Sequence, residues 1–472
     1  MKFKLLVLVF ALMFSSALSQ EISENIMIDG KFSDWVDFPS VYVDKKGDGD
    51  EGGVDFRTLK MTDDDKYIYF YIETGKELSI QNSEGLKIYI DADNDYTTGE
   101  EKNRLGSELI WNFEEKKGRF VGSSTTGIKH PDLDLYIAPT VTSDRFEFLI
   151  SKSIKHLGKP VFINKTIGVA LKNSSDRIPD KNDVIEYKFK NNARNYDKVE
   201  LNEPAGTDIR LMSYNVLFDN PFKDELYEPF SRIINAVDAD IIGFQEIYDH
   251  SAQETLEFVS EITNEEWFTA KAEPDLVVLS KFSIIDVFEI DGSGAFLIDL
   301  PETLGEEFLL INAHLKCCNN DHIRRKQVNK IMKYISVLKN RNKLRPFTPI
   351  FIAGDMNFVG DYRQVLTLLE GQLEEKTDER VEPDWNSTAF TDIYAPVPNM
   401  PVKFTWNDPE SNYSPGRLDY VIYSDDVADI LNKFVLFTPT IKEDELREHN
   451  LFTDDAVQVS DHFPVVVDIK LK

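Results

Sequence analysis

In residues 208–472 of this 472-residue chain, polar side chains gather where short apolar runs stop. Met212-Ser213-Tyr214-Asn215 ends one run and Phe244-Gln245-Glu246 ends the next. His314 closes Leu309–Ala313, Gly354-Asp355-Met356-Asn357 follows Ile350–Ala353, Arg417-Leu418-Asp419-Tyr420 opens another run, and Ser460-Asp461-His462 precedes the last. Carboxylate and amide oxygens are ligands for hard cations, and histidine moves protons near neutral pH. Each residue alone has an ordinary reading: a strand-end Asp caps a helix, a single His is a hydrogen-bonded structural residue, an Asn serves a turn. Six such places in one stretch favour a shared site instead.

The elements that must position them alternate in type. Leu226, Phe230, Ile233, Ile234 and Val237 recur at helical spacing, and Ile241-Ile242-Gly243-Phe244 then reads as a buried strand. Further strands are predicted at Leu276–Leu279, Phe308–Ala313, Ile350–Ala353, Leu418–Tyr423 and Val465–Ile469, with helices at Asp321–Lys339 and Asp361–Leu369. Continuous apolar strands alternating with helices predict an α/β domain whose strands are buried on both faces. Strand ends are where such folds place reactive groups.

Residues 21–195 have a different rhythm. Tyr67–Ile72, Leu86–Ile90 and Arg145–Ile150 alternate with period two between Asp, Gly and Asn, predicting an antiparallel β-sandwich without a long helix. The polar stretch Asn191–Gly206, with Pro204 and Gly206, suits a linker placed at 196–207. Asp91, Asp93 and Asp95 alternate ahead of Gly99, so a Ca²⁺ loop and a self-capping acidic turn are both open readings; the EF-hand pattern is not met. Ile28-Asp29-Gly30-Lys31-Phe32-Ser33-Asp34-Trp35 and Ile90–Gly99 resemble the family 9-like carbohydrate-binding modules. That resemblance implies a glycan ligand for this half.

The series SYNVL, FQE, INAHLK, GDMN, FTW with RLDYV, and SDHFPV resembles the endonuclease/exonuclease/phosphatase superfamily over nearly all of 208–472. The resemblance implies two face-to-face β-sheets flanked by helices, a four-layer α/β sandwich, and a phosphoester hydrolase dependent on Mg²⁺ or Mn²⁺. Hydrolysis needs an activated water, stabilised phosphoryl oxygens and a protonated leaving oxygen. By resemblance, Glu246 is the principal metal ligand, with Asn215 beside it and Asp461 acting directly or through water. Asp355 is expected to orient or deprotonate water, Asn357 to donate to the phosphoryl oxygen, and Asp419 to fix the tautomer of His462. His314 completes the phosphate-facing pair, as general acid or hydrogen-bond donor. The acidic partner that the first histidine has in pancreatic-type deoxyribonucleases is not identifiable in the sequence. Arg324 and Arg325, in a basic run with Lys316 and Lys326, are candidate phosphate contacts or a solvated helix end.

Composition bounds the rest. A hydrophobic content of 42% supports two packed cores. Lys2 and Lys4 ahead of Leu5–Phe14 read as a secretory signal over residues 1–20, and the run is short of the ~20 residues that span a bilayer. A soluble exported protein, without stable membrane insertion, is expected. The only cysteines, Cys317 and Cys318, are adjacent; two buried thiols, a vicinal disulfide and a soft-metal contact are all open readings. A net charge of −30 disfavours nonspecific attraction to polyanions but leaves one cleft free to differ. Extracellular nucleic acid is the first-choice substrate. A sphingomyelinase-like phospholipid phosphodiesterase and a catalytically decayed glycan-binding or adhesion protein are the alternatives. Trp385 and Trp406 are read as structural or cleft-edge residues, with Trp406 in the core.

Overall fold

The strand Ile209–Asn215 sets the plan of the second half, because alternate side chains leave it toward different layers. Leu211 enters a core between two sheets, whereas Met212 and Tyr214 face outer helices. The computed structural model describes residues 25–472 other than 83–84, 103, 123, 181–182, 195, 197–198, 306 and 374–378; the expected signal segment lies outside them. One six-stranded sheet runs Phe268–Ala272, Leu276–Ser280, Ile241–Gln245, Ile209–Asn215, Val465–Leu471, Ala428–Val435. The other runs Ser283–Ile290, Ser293–Asp299, Glu307–His314, Ile350–Asp355, Asp419–Tyr423, Thr391–Asp392. Each contains one parallel pair, Ile209–Asn215 with Ile241–Gln245 and Glu307–His314 with Ile350–Asp355.

Helices Tyr227–Val237 and Ala252–Thr263 cover one outer face, and Asp321–Asn340 and Arg363–Glu370 cover the other. Tyr227–Val237 buries Phe230, Ile233, Ile234 and Val237 on one stripe and stops where Asp238 turns left-handed. Ala252–Thr263 starts at a capping box, in which Ser251 Oγ accepts from Glu254 N and the Glu254 carboxylate accepts from Ser251 N. Arg363–Glu370 begins two residues later than its apolar spacing predicts, because Asp361 caps the Arg363 amide from outside the helix. No helix among the described residues is long and apolar enough to cross a membrane.

In the first half, a five-stranded sheet (Ser40–Val43, Thr58–Asp63, Tyr67–Leu78, Ser143–Ser151, Tyr136–Ala138) and a seven-stranded sheet that includes Lys87–Asp91, Leu109–Asn112 and Thr166–Lys172 share one core. Phe70 stacks on Phe148 within it. Helical structure among the described residues there is limited to the short turns Ser33–Trp35 and His130–Leu133.

The joint between the halves is apolar and continuous. Ile28, Trp35 and Tyr71 belong to the same buried cluster as Val402, Phe404 and Val467. Ile28 pairs with Val402 as an isolated bridge, and Lys403 Nζ holds Asp29 at 2.9 Å. Trp35 is 1% exposed and donates to Glu147, which also accepts the Asp29 and Gly30 amides. The Ile28–Trp35 motif is therefore committed to the joint, and its tryptophan offers no face to a sugar. Within the segment expected as a linker, Val199 and Leu201 are buried in the core of the second half, where the Leu201 carbonyl accepts from Arg210. The segment's polar composition concealed those apolar anchors.

Candidate active site

Two parallel strand pairs deliver Asn215, Glu246, His314 and Asp355 to one end of the facing sheets, and antiparallel pairing sets Asp355 opposite Asp419. Beneath them a polar clamp joins the sheets: Asn312 Nδ2 donates to the Phe244 carbonyl at 2.9 Å, and Gln245 Nε2 donates to Asn312 Oδ1 at 2.6 Å. Gly243 admits this contact, since a Cβ there would lie 3.3 Å from Asn312 Oδ1. Glu246 and Asn357 adopt left-handed backbone conformations, φ 68° and 50°, which non-glycine residues rarely hold except where the surroundings enforce them.

Asp355 stands midway between the two histidines, its Oδ2 3.7 Å from His314 Nε2 and 3.7 Å from His462 Nε2. Each ring is anchored from behind by a carboxylate: Asp419 Oδ2 lies 2.8 Å from His462 Nδ1, and Asp275 Oδ2 lies 2.5 Å from His314 Nδ1. Asp275 is the acidic partner the sequence did not reveal. Its only signal was a carboxylate ahead of the Leu276–Ser280 strand.

Burial pushes Asp355 up to about 6 despite the nearby histidines. Burial lowers the histidine values, yet Asp419 and Asp355 carry His462 up to about 10, while Asp275 and Asp355 raise His314. A carboxylate near neutrality between two imidazoles suits proton transfer.

Glu246 accepts Asn215 Nδ2 on one oxygen and the Phe218 amide on the other. Asn215 Nδ2 also reaches Asp355, and its Oδ1 accepts the Leu217 amide, so Asn215 positions the two carboxylates and keeps one lone pair on its oxygen. Asn357 is similarly engaged, donating to Asp355 and to the Leu315 carbonyl, so its amide is not free for a phosphoryl oxygen. Asp461 accepts from Trp406 Nε1 through Oδ2, whereas its Oδ1 is buried without a partner. Trp406 thus lines the cleft instead of entering the core, while Trp385 packs beneath the outer helices.

The cavity over these residues has a volume of about 760 Å³. Its rim includes Phe218 and Tyr248, whose rings stack 5.6 Å apart, and both cysteines, which are exposed rather than buried. Arg324 does not reach it. That side chain is wholly buried, bound to Gln364, Asp321 and the carbonyls of Lys316 and Cys318, and Arg325 lies beside Asp361. Arg324 therefore anchors the helix start, and of the basic run only Lys316 lines the cavity.

Far from this cleft, Asp91 and Asp93 converge with Glu108, which the sequence did not suggest, while Asp95 turns to Thr97. The loop also caps its own amides, Asp95 N on Asp91 and Asp93.

Residues 212–462 match the model of the Endonuclease/Exonuclease/phosphatase family. No curated protein sequence matches the chain. Among solved structures, ANGEL2, described as a 2',3'-cyclic phosphatase in complex with adenosine-2',3'-vanadate, is 16% identical over 57% of this chain and 97% of its own, with a TM-score of 0.41. The human Nocturnin catalytic domain with bound sulfate is 16% identical over 57% of this chain and 96% of its own, TM-score 0.37. Truncated Caenorhabditis elegans TDP2 is 16% identical over 56% of this chain and 97% of its own, TM-score 0.35.

Proposed function

Because the chain belongs to the endonuclease/exonuclease/phosphatase family, whose members are phosphoesterase and nuclease hydrolases, we propose that it is an exported, divalent-metal-dependent phosphodiesterase acting on nucleic acid. The observation that carries this reading is Asp355 set between His314–Asp275 and His462–Asp419, with Glu246 and Asp461 on the same cleft wall.

The donor set fits a hard cation. Glu246 keeps a lone pair on each oxygen beyond its single accepted bond, and the buried, unpartnered Asp461 Oδ1 is a group that folding leaves costly unless something binds it. Glu246 and Asp461 would hold Mg²⁺ or Mn²⁺, which supplies charge stabilisation for the phosphoryl group when bound. Asp355 takes the proton of the attacking water. His462, kept cationic by Asp419, donates to a non-bridging oxygen, and His314, oriented by Asp275, donates to the other side of the phosphoryl group or to the leaving oxygen.

The substrate reading follows from the shape and charge of the cleft. A volume of about 760 Å³ suits one or two nucleotide units, and the Phe218–Tyr248 pair offers a stacking surface for a base. With Lys316 the one Lys or Arg on the cavity wall among the described residues, long phosphate tracking is disfavoured. A single-stranded end therefore fits better than a duplex. The test is turnover of an end-labelled single-stranded oligonucleotide, the matching duplex and sphingomyelin vesicles, with Mg²⁺ and then with chelator. Preferential cleavage of the single strand supports the proposal. Cleavage of sphingomyelin alone would replace its substrate, and no turnover of any of them would leave a decayed site.

A further inference from the structure

We propose that the first half holds a calcium ion in a pocket built by Asp44, Asp48, Asp55, Asp176 and Asp180. Two overlapping groups, Asp44–Asp48–Asp180 and Asp48–Asp55–Asp176, each bring one oxygen per residue within 4.8 Å of the others, and Asp48 belongs to both. Residues so far apart in sequence would not converge for turn capping alone: Asp44 to Asp55 span the loop after the strand Ser40–Val43, and Asp176 and Asp180 flank Arg177–Ile178 in the other sheet.

Asp44 is the independent sign of a ligand. It is 7% exposed, its Oδ1 accepts the Lys45 amide, and its Oδ2 is buried with no hydrogen-bond partner. A buried carboxylate with an unpartnered oxygen, grouped with two other carboxylates, is unfavourable without a cation. Burial and the charges of Asp176, Asp48 and Asp180 push Asp44 up to about 7, and burial with Asp48 and Asp55 raises Asp176. Arg57 pairs with Asp55 at 2.5 Å, which offsets one charge and leaves the cluster strongly negative.

The remaining hydrogen bonds hold the ligands without consuming them. Asp176 accepts the Phe56 and Arg177 amides, Asp55 accepts the Gly47 amide, and Asp180 N reaches Tyr42 Oη. Asp48 and Asp180 are exposed, giving an ion a route in from solvent. Many carboxylates in irregular array suit Ca²⁺, which takes six to eight oxygens, better than Mg²⁺, which demands an octahedron and retains its waters. The ion would tie the edge of the five-stranded sheet to that of the seven-stranded sheet.

The full chain, stripped with chelator, is titrated with Ca²⁺ and separately with Mg²⁺, with bound ion counted by equilibrium dialysis and Tm read by circular dichroism. Asp48→Asn and Asp180→Asn, both at exposed positions that leave the core intact, are compared with wild type and with Asp91→Asn. The expected result is one more Ca²⁺ bound by wild type and Asp91→Asn than by Asp48→Asn and Asp180→Asn, with a Ca²⁺-dependent Tm rise lost in those two variants, while the Mg²⁺ count, which belongs to the cleft of Glu246 and Asp461, is the same in all four proteins. Equal Ca²⁺ binding by all four proteins, loss only in Asp91→Asn, no Ca²⁺ binding by wild type, or a Mg²⁺ count that falls in Asp48→Asn and Asp180→Asn would each overturn the proposal. None of these readouts depends on phosphoester turnover.

Discussion

His314 and His462 occupy equivalent places in the two sheets, yet only the partner of one was legible. Asp419 sits in a recognisable run, whereas Asp275 lies 39 residues before His314 on a strand end of the opposite sheet. No spacing rule connects them; the packing of the sheets does. Asp275→Asn should lower kcat by about 10- to 100-fold, the usual cost of losing a histidine's orienting carboxylate, while calorimetric Mg²⁺ affinity stays near wild type. Glu246→Gln should do the reverse, weakening Mg²⁺ binding and reducing kcat/KM by about 100-fold or more, as expected when several kcal/mol of charge stabilisation are lost. Asn215, Asn357 and Arg324 have in common that their side-chain donors are engaged by other protein groups, which residue type alone does not show. Residue type names the donors a side chain owns, and the fold decides which of them other protein atoms have already taken.

The elements that carry this site were largely visible as apolar runs, because strands buried on both faces show continuous hydrophobicity. Ser283–Ile290 and Phe268–Ala272 were not, since they are half-exposed edge strands with mixed composition. The Asn312–Gln245 clamp was also hidden, being polar residues inside apolar strands. Asn312→Ala leaves Gln245 and the Phe244 carbonyl without their partner and should cost about 1–3 kcal/mol in urea unfolding. In the first half, Asp63 is fully buried and accepts from Lys152 Nζ, Tyr187 Oη and the Lys190 and Asn191 amides. Burial opposes its ionisation, but these donors hold its carboxyl below the ordinary 3.8. A lowered folded value means stability present above 3.8 and lost as pH falls through the folded value. Asp63→Asn should therefore destabilise by about 3 kcal/mol at neutral pH, with the Tm gap to wild type shrinking in acid.

At the scale of the molecule, the first half is part of the cleft that holds Glu246 and Asp355. Ser79–Asn82 and Pro139–Thr140 line the cavity over Glu246 and Asp355. Tyr413 Oη donates to Asn82, Ser414 N to Gln81, and Thr140 Oγ1 to the Phe358 carbonyl. A composition-based division into two units could foresee separate cores but not that one would wall the other's site. Gln81→Ala combined with Asn82→Ala should raise KM for an oligonucleotide more than it lowers kcat. A fragment starting at Val199 should be aggregation-prone, since it bares the apolar face that Ile28, Trp35 and Tyr71 cover.

The central claim is metal-dependent phosphoester hydrolysis in this cleft. It is tested most directly by the rate at which the full chain cleaves bis(p-nitrophenyl) phosphate, after metal removal and after Mg²⁺ is restored, in wild type and in His462→Ala. The wild-type rate should be abolished by stripping and recovered with Mg²⁺, and the restored His462→Ala rate should be at least about 100-fold lower, the contribution typical of a positioned proton donor. A wild-type rate indifferent to chelation, or a His462→Ala rate equal to wild type, would contradict it.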